Sequence, residues 1–441
     1  MFYREPLQAD LPDSLWAHSA APAPLTPCLE GQHTSRIVVI GGGFTGLSTA
    51  LHLAEEGAEV TLLEANDIGF GGSGRNVGLA NAGLWTKPDD IEAVLGKPLA
   101  QRLYTALSKA PDLVYSLIER FGIQCEATRN GTLHLGHSRA GLRDLEERTR
   151  QLQQRGAPVE LLSAAKTAEM TGSKAYHGAI FDPRAGTIQP LGYARGLATA
   201  ALSLGARIFT RSPVTGLERA SDGWVVSTPS GAIHAEKVVL ATNAYSTDLW
   251  KSMDQTFTPL HFFQFATAPL DTDVLKQILP GNQGCWDTRD VMTSLRLDQS
   301  GRLILGSVGR FAGDTSSFLQ NWASSHLRAL FPDHYPRIVG NADGALWRYG
   351  WTGKIAYSDD HLPHLHLLAP DLITVIGYSG RGIGPGSVMG KAIADHLLGA
   401  PIEEMPLPVT DLRKMPFRHL LGEYYCRGSD LYHLYQRIFR L

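Results

Sequence analysis

At 441 residues the chain is too long for one ordinary core, so two or three domains are expected. Hydrophobic residues make up 43% and charged residues 19%, as in an ordinary soluble globular protein, and no run of about eighteen apolar residues offers a membrane span. Lys and Arg number 40 against 43 Asp and Glu, a formal charge of −3 without the basic excess of a nucleic-acid binder.

Residues 1–33 are rich in Pro and Ala, show no period, and read as an extended arm or cap. Met1-Phe2-Tyr3-Arg4-Glu5 leads into no apolar run, so no signal peptide and a cytoplasmic setting are expected. Cys28, Cys125, Cys285 and Cys426 lie far apart without metal or redox spacing, which suits reduced thiols. Regular structure is expected from Arg36. Ile37-Val38-Val39-Ile40 reads as a parallel strand buried on both faces. Leu47, Ala50, Leu51 and Ala54 then recur at helical spacing, and Val60-Thr61-Leu62-Leu63 is a second strand. Strand, helix, strand is a βαβ unit. Residues 91–160 read as mainly helical. A helix is expected over Leu191–Gly205, and strands at Arg207–Thr210, Trp224–Ser227 and Lys237–Leu240, with Gly231 in a turn. Residues 257–310 suit a mixed sheet. Leu372–Ile376 is a last strand, followed by a Gly-rich turn and a helix from near Gly386 to Leu398. The tail from Pro401 has no evident role.

The chemistry starts after the first strand. Gly41, Gly43 and Gly46, with Phe44 and Thr45 between, fit G-x-G-x-x-G. The first glycine permits a tight turn, the second lets backbone approach a pyrophosphate, and the third lets helix and strand pack closely. The helix N-terminus offers free N–H groups and positive dipole to phosphates. Glu64 follows the second strand about twenty residues on, where a carboxylate accepts ribose hydroxyls. The motif in this setting predicts an ADP-containing dinucleotide; alone it does not separate FAD from NAD. A second loop, Gly69-Phe70-Gly71-Gly72-Ser73-Gly74-Arg75-Asn76, is more than a nicotinamide needs and suits a flavin's ribityl chain and ring.

Several stretches, in order, resemble the D-amino-acid oxidase superfamily of flavoproteins, in its gamma-glutamylputrescine oxidase-like branch. They are Ser14-Leu15-Trp16-Ala17, the Gly41–Gly46 fingerprint, Glu64-Ala65, the Gly72–Asn76 loop, Ala241-Thr242-Asn243-Ala244-Tyr245, Arg296 with Gly301-Arg302-Leu303, and Gly377-Tyr378-Ser379-Gly380-Arg381-Gly382. The resemblance implies an α/β, Rossmann-like FAD-binding domain interleaved with an antiparallel-sheet α+β substrate domain. The expected division is an arm at 1–33, an FAD-binding domain at 34–90, 185–256 and 345–400, a substrate domain at 91–184 and 257–344, and a tail at 401–441. It implies FAD contacts from Gly41, Gly43, Phe44, Thr45, Gly46, Glu64, Ala65, Gly72, Ser73, Arg75, Asn76, Val77 and Gly78. Further contacts are implied from Val214, Ala241, Thr242, Asn243, Gly380, Arg381, Gly382, Ile383 and Gly384. No cysteine lies between Cys285 and Cys426, so the FAD is expected to be non-covalent.

On the substrate side, Ile355 stands where relatives acting on amino acids carry an arginine, and Ile304 where sarcosine-oxidising relatives carry a lysine. Arg296, Arg310, Arg348 and Lys354 are candidate substitutes. Trp347, Tyr349 and Trp351 are candidates for an aromatic wall, and His261 lies on a likely sheet strand. His261, Tyr349, Trp351 and Arg381 form the expected catalytic set; His134, Tyr176 and His177 are further candidates. His361, His364 and His366 lack helical i, i+4 spacing, and no metal is expected. The expected reaction is oxidation of a small primary or secondary amine to an imine by hydride transfer to flavin N5, with oxygen or another acceptor downstream. D-amino-acid oxidation and a non-catalytic FAD-binding subunit are the alternatives.

Overall fold

In the computed structural model, residues 9–247, 249–310, 315–340 and 344–439 are described. The strand Gly31–Ile40 carries the apolar run Ile37–Ile40 and is buried from both sides because it sits inside a sheet with helices on one face and packed strands and loops on the other. Its neighbours, Val60–Leu63 and Gly231–Leu240, are both parallel to it. Arg207–Phe209 extends the sheet beyond Val60–Leu63, and Leu372–Ile376 extends it beyond Gly231–Leu240, again in parallel. His364–Ala369 closes that edge antiparallel, and Gly216–Ala220 with Gly223–Ser227 form an antiparallel extension on Gly231–Leu240.

Two helices cross tightly beneath the cradle, Phe44–Glu55 and Ile383–Leu397. Gly390 makes the crossing possible: a Cβ there would meet the Thr45 carbonyl and the Ser48 Cβ, both at 2.6 Å. The close approach lets Ser48 Oγ donate to the Ser387 carbonyl at 2.7 Å and Thr49 Oγ1 to that of Gly390 at 3.1 Å.

The second sheet runs Trp347–Tyr357, Thr258–Pro269, Arg302–Val308, Thr293–Leu297, Gly284–Asp287, Thr132–Leu135, Gly178–Asp182, Glu160–Ser163. All of its pairs are antiparallel except Gly284–Asp287 with Thr132–Leu135. Alternation divides its faces. Leu133, Cys285, Leu295, Leu305, Phe263 and Phe265 pack on the helix Thr315–Leu330, chiefly through Leu319, Trp322 and Leu327. His134, Trp286, Ser294 and Gln264 take the opposite face.

Four expectations change. The arm is not simply extended: Ser14 Oγ caps a turn of helix over Leu15–Ser19, and the strand behind it opens at Gly31, not Arg36. Gly231 begins a strand instead of sitting in a turn. Trp347–Tyr357 pairs along Thr258–Pro269, so it belongs to the second sheet and not to the FAD-binding segment that was to open at 345. The tail holds a helix, Arg418–Phe439. Its pattern is inverted: Gly422, Ser429, His433 and Gln436 are buried while Leu420, Tyr424 and Leu431 are exposed, so no apolar stripe announces it.

Candidate active site

The cradle is built from backbone. Gly41 has φ +115°, and a Cβ there would meet the Ala241 carbonyl oxygen at 2.8 Å. A Cβ on Gly46 would lie 2.0 Å from the Gly41 carbonyl oxygen, so this position in the helix's first turn accepts only glycine. Gly43 faces Ser73 Oγ, which accepts from the Phe44 amide at 3.1 Å and ties the second loop to the first. The remaining amides of this turn have no partner within the helix. The Glu64 carboxylate accepts from the amides of Gly42 at 2.6 Å and Asn66 at 2.9 Å. It keeps partial exposure toward the cradle, but the protein around it raises its pKa by desolvation. A fixed acid beside glycine-only backbone and helix N–H groups fits the ADP half of a dinucleotide.

Tertiary contacts bring the other loops here. Ser212 donates its amide to the Glu64 carbonyl at 2.9 Å, which sets Val214 just beyond it, and Ala65 follows Glu64 directly. The Ala241 amide bonds the Ile40 carbonyl at 2.8 Å and leads through Thr242 to Asn243, whose Oδ1 accepts from the Gly377 amide at 3.0 Å. That bond joins the last strand's turn to the cradle, and the Tyr378 and Thr45 hydroxyls reinforce it at 2.9 Å. Asn76 Nδ2 donates to the carbonyls of Gly72 and Ser73, and its Oδ1 accepts from the Gly78 amide at 2.8 Å. Arg75 Nε bonds the Phe70 carbonyl at 2.7 Å.

Arg381 projects from the Gly380–Gly382 turn into a cavity between this turn, the second sheet and the helix Arg139–Gln154. Its guanidinium lies over the rings of Trp85 and Trp286, at 4.5 and 4.8 Å from their centroids. Burial lowers the Arg381 pKa to about 9. His134 stacks on Trp286 at 4.9 Å. Desolvation, then Arg148 and Arg381, hold its pKa well below the usual range, so His134 is neutral at pH 7.

The FAD dependent oxidoreductase family, DAO, matches residues 36–396 of the chain. The chain belongs to this family. It is 30% identical over 380 residues to the probable oxidoreductase OrdL of Haemophilus influenzae, covering 85% of each chain. It is 30% identical over 402 residues to gamma-glutamylputrescine oxidoreductase of Escherichia coli, covering 89% of this chain and 92% of that one. The fold matches that of glycine oxidase from Geobacillus kaustophilus, with a TM-score of 0.67 at 23% identity over 83% of this chain and 95% of that one. The protein is thus an FAD-dependent oxidoreductase. Among the described residues no helix is long and apolar enough to cross a membrane.

Of the expected catalytic set, only Arg381 lines the cavity of this oxidoreductase. His261 shares the strand face of Phe263 and Phe265, which pack away from the cavity, because its position in the strand is odd where Gln264's is even. Trp351 is buried under the arm, edge-on to Trp16 at 5.7 Å, and its Nε1 donates to the Arg75 carbonyl at 2.8 Å. Tyr349 packs on the same arm cluster. Trp351 thus ties the Gly72–Asn76 loop to the second sheet, and both side chains face the arm and not the cavity. Trp347 likewise packs on Phe265. Arg296 is no clamp either: it is buried, and its Nη1 donates to the carbonyls of Val77, Gly78 and Ile188. Tyr176 lies in the second sheet's core and His177 is exposed. His364 pairs with Asp360 at 3.1 Å, and His366 Nδ1 lies 2.6 Å from the Thr410 carbonyl. Sequence reasoning missed Trp85, Arg148 and Trp286. Nothing local marks them, since three distant segments meet only in the folded chain.

Proposed function

We propose that this enzyme oxidises a small amine at its α carbon, giving an imine that water hydrolyses to a carbonyl compound. The supporting observation is the seat of Arg381: a buried cation between two indoles, lining a cavity bordered by the Gly380–Gly382 turn. Bound FAD supplies the acceptor for the electron pair of the α C–H bond.

The chain supplies the rest. In this reading Gly41–Gly46 and Ala241–Asn243 hold the pyrophosphate, Glu64 and Ala65 the ribose, Val214 the adenine, and the Gly72–Gly78 loop the ribityl chain. Gly380–Gly384, Ile383 included, flank the pyrimidine edge. Arg381 and the N-terminus of Ile383–Leu397 then place positive charge where a reduced flavin gathers negative charge. No cysteine stands between Cys285 and Cys426, which supports an FAD held without a cysteine link in that region. The cavity's cations also lower the pKa of an amine brought beside them, so the reactive neutral amine forms without a dedicated base. Neutral His134 adds no competing charge. Oxygen or a separate acceptor completes the cycle.

The test is anaerobic mixing of the yellow holoenzyme with a panel of primary and secondary amines, polyamines and amino acids. Bleaching at 450 nm or so by at least one amine is expected. A flavin that no member of the panel bleaches overturns the reading and leaves a non-catalytic FAD-binding role.

A further inference from the structure

The helix Arg418–Phe439 lies against the second sheet on the face away from the cavity, where His433 packs on Phe263 and Trp322. Three polar contacts fix its rotation about its own axis. Arg418 Nη2 donates to Asp254 Oδ2 at 2.7 Å, His433 Nε2 and Ser307 Oγ lie 3.2 Å apart, and Trp322 Nε1 donates to Gln436 Oε1 at 2.9 Å. With the polar side held inward, the apolar side must point out. Leu420, Tyr424 and Leu431 are 68, 71 and 66% exposed, and Phe417, Leu434 and Tyr435 are exposed beside them. Among the described residues the remaining exposed large apolar side chains are spread from Leu25 to Val409. Single exposed residues need no explanation, but a contiguous patch does.

Leu420, Tyr424, Leu431 and Tyr435 follow one another at intervals of four, seven and four, which keeps them on one helix face. Those intervals read the same from either end. A two-fold axis crossing the helix between Arg427 and Gly428 therefore sets Leu420 opposite Tyr435 of a second copy, and Tyr424 opposite its Leu431. Each leucine meets a ring, and the Tyr424 ring is already steadied edge-on by Tyr425, which rests on Tyr357. An interface between identical surfaces requires this self-complementarity. At the axis there is open space where a Cβ of Gly428 would stand, which leaves room for Arg427 of the other copy. Each Arg427 keeps its own Glu423 at 3.7 Å, so the charges within the face cancel and give an anionic membrane no hold. The six apolar side chains offer on the order of 600 Å² per copy, approaching the roughly 800 Å² per partner of a standard interface.

We propose that this helix face docks on a second copy of the chain as an antiparallel helix pair, forming a two-fold dimer. Both cavities stay open in it, since each lies behind the other face of its own sheet.

Sedimentation of the full-chain holoenzyme from about 1 to 50 µM should show twice the chain mass at the upper end. Leu431→Glu and Tyr424→Lys each set a charge in the apolar stripe. Each should weaken association by about tenfold or more, with FAD content and melting temperature unchanged. The two variants mixed together should associate again, because positions 424 and 431 meet only across an antiparallel axis. A wild-type holoenzyme that stays monomeric at the highest concentration overturns the proposal. A dimer as tight in both variants as in wild type overturns it too and puts the contact elsewhere, and a mixture that fails to associate overturns the antiparallel register. A monomer that co-sediments with phosphatidylglycerol vesicles, and loses them in Leu431→Glu, assigns the face to a membrane instead. Should one variant fail to fold, the other decides alone.

Discussion

The cradle after Gly31–Ile40 is walled by backbone, whereas the second sheet faces it with side chains. At Gly41, Gly43 and Gly46 the ligand surface exists because no Cβ is present. At Trp85, His134, Arg148, Trp286 and Arg381 the cavity is walled instead by large side chains from separate segments. The first kind of site tolerates no added atom and depends on a few consecutive residues. The second depends on what each side chain touches, and equally suggestive residues can be consumed in holding the fold. Arg296 is the clearest case: the same residue type as Arg148, yet fully buried and engaged by three carbonyls.

The largest expected effect tests the backbone side. Gly46→Ala puts a Cβ 2.0 Å from the Gly41 carbonyl oxygen. FAD affinity should fall by two orders of magnitude or more, on the order of 3 kcal/mol, and the protein should purify colourless. Retention of full flavin would erase the contrast between the two sites. Next comes the arm, which braces the Gly72–Asn76 loop from outside. Trp16 is fully buried, and its Nε1 donates to the Asn76 carbonyl at 2.8 Å. Trp16→Ala should cost about 3–5 kcal/mol in urea unfolding, and it should loosen FAD although it touches no part of the cradle glycines.

A pH-dependent effect concerns the far face of the second sheet. His326 stacks on Trp322 and His433 packs against it at a tilt, and burial lowers both to about 3. The unfolded chain binds protons on these groups below about 6.5, while the folded chain does not. Stability is therefore present above that pH and is lost as pH falls from about 6.5 toward 3, by up to about 1.4 kcal/mol per pH unit for each histidine. Melting curves across pH 4–7 check this, and His433→Gln should flatten the slope by one proton. The smallest effect is expected at His261. On the face away from the cavity, His261→Gln should change the rate of flavin reduction by less than about twofold. A large drop there would return His261 to the reaction and undo the face assignment.

Much of the parallel sheet was legible because its signals are local. A short apolar run, three glycines and an acid each report on neighbours a few residues away. The Arg418–Phe439 helix escaped for the opposite reason: its buried face is Gly422, Ser429, His433 and Gln436, acceptable only because partners such as Ser307 and Trp322 await them. Tyr349 and Trp351 looked like a cation-binding wall because aromatic residues look the same whether they face ligand or core. Their covering by Trp16, from the other end of the chain, was invisible in sequence.

The order of residues by itself determined the dinucleotide cradle, its acid and the family, since backbone without side chains can be recognised from glycine spacing. Only the tertiary structure decided which cations face the cavity. Arg148, Arg296 and Arg381 are chemically identical in the chain, and folding alone sets Arg296 among backbone carbonyls while leaving Arg148 and Arg381 on the wall of the cavity.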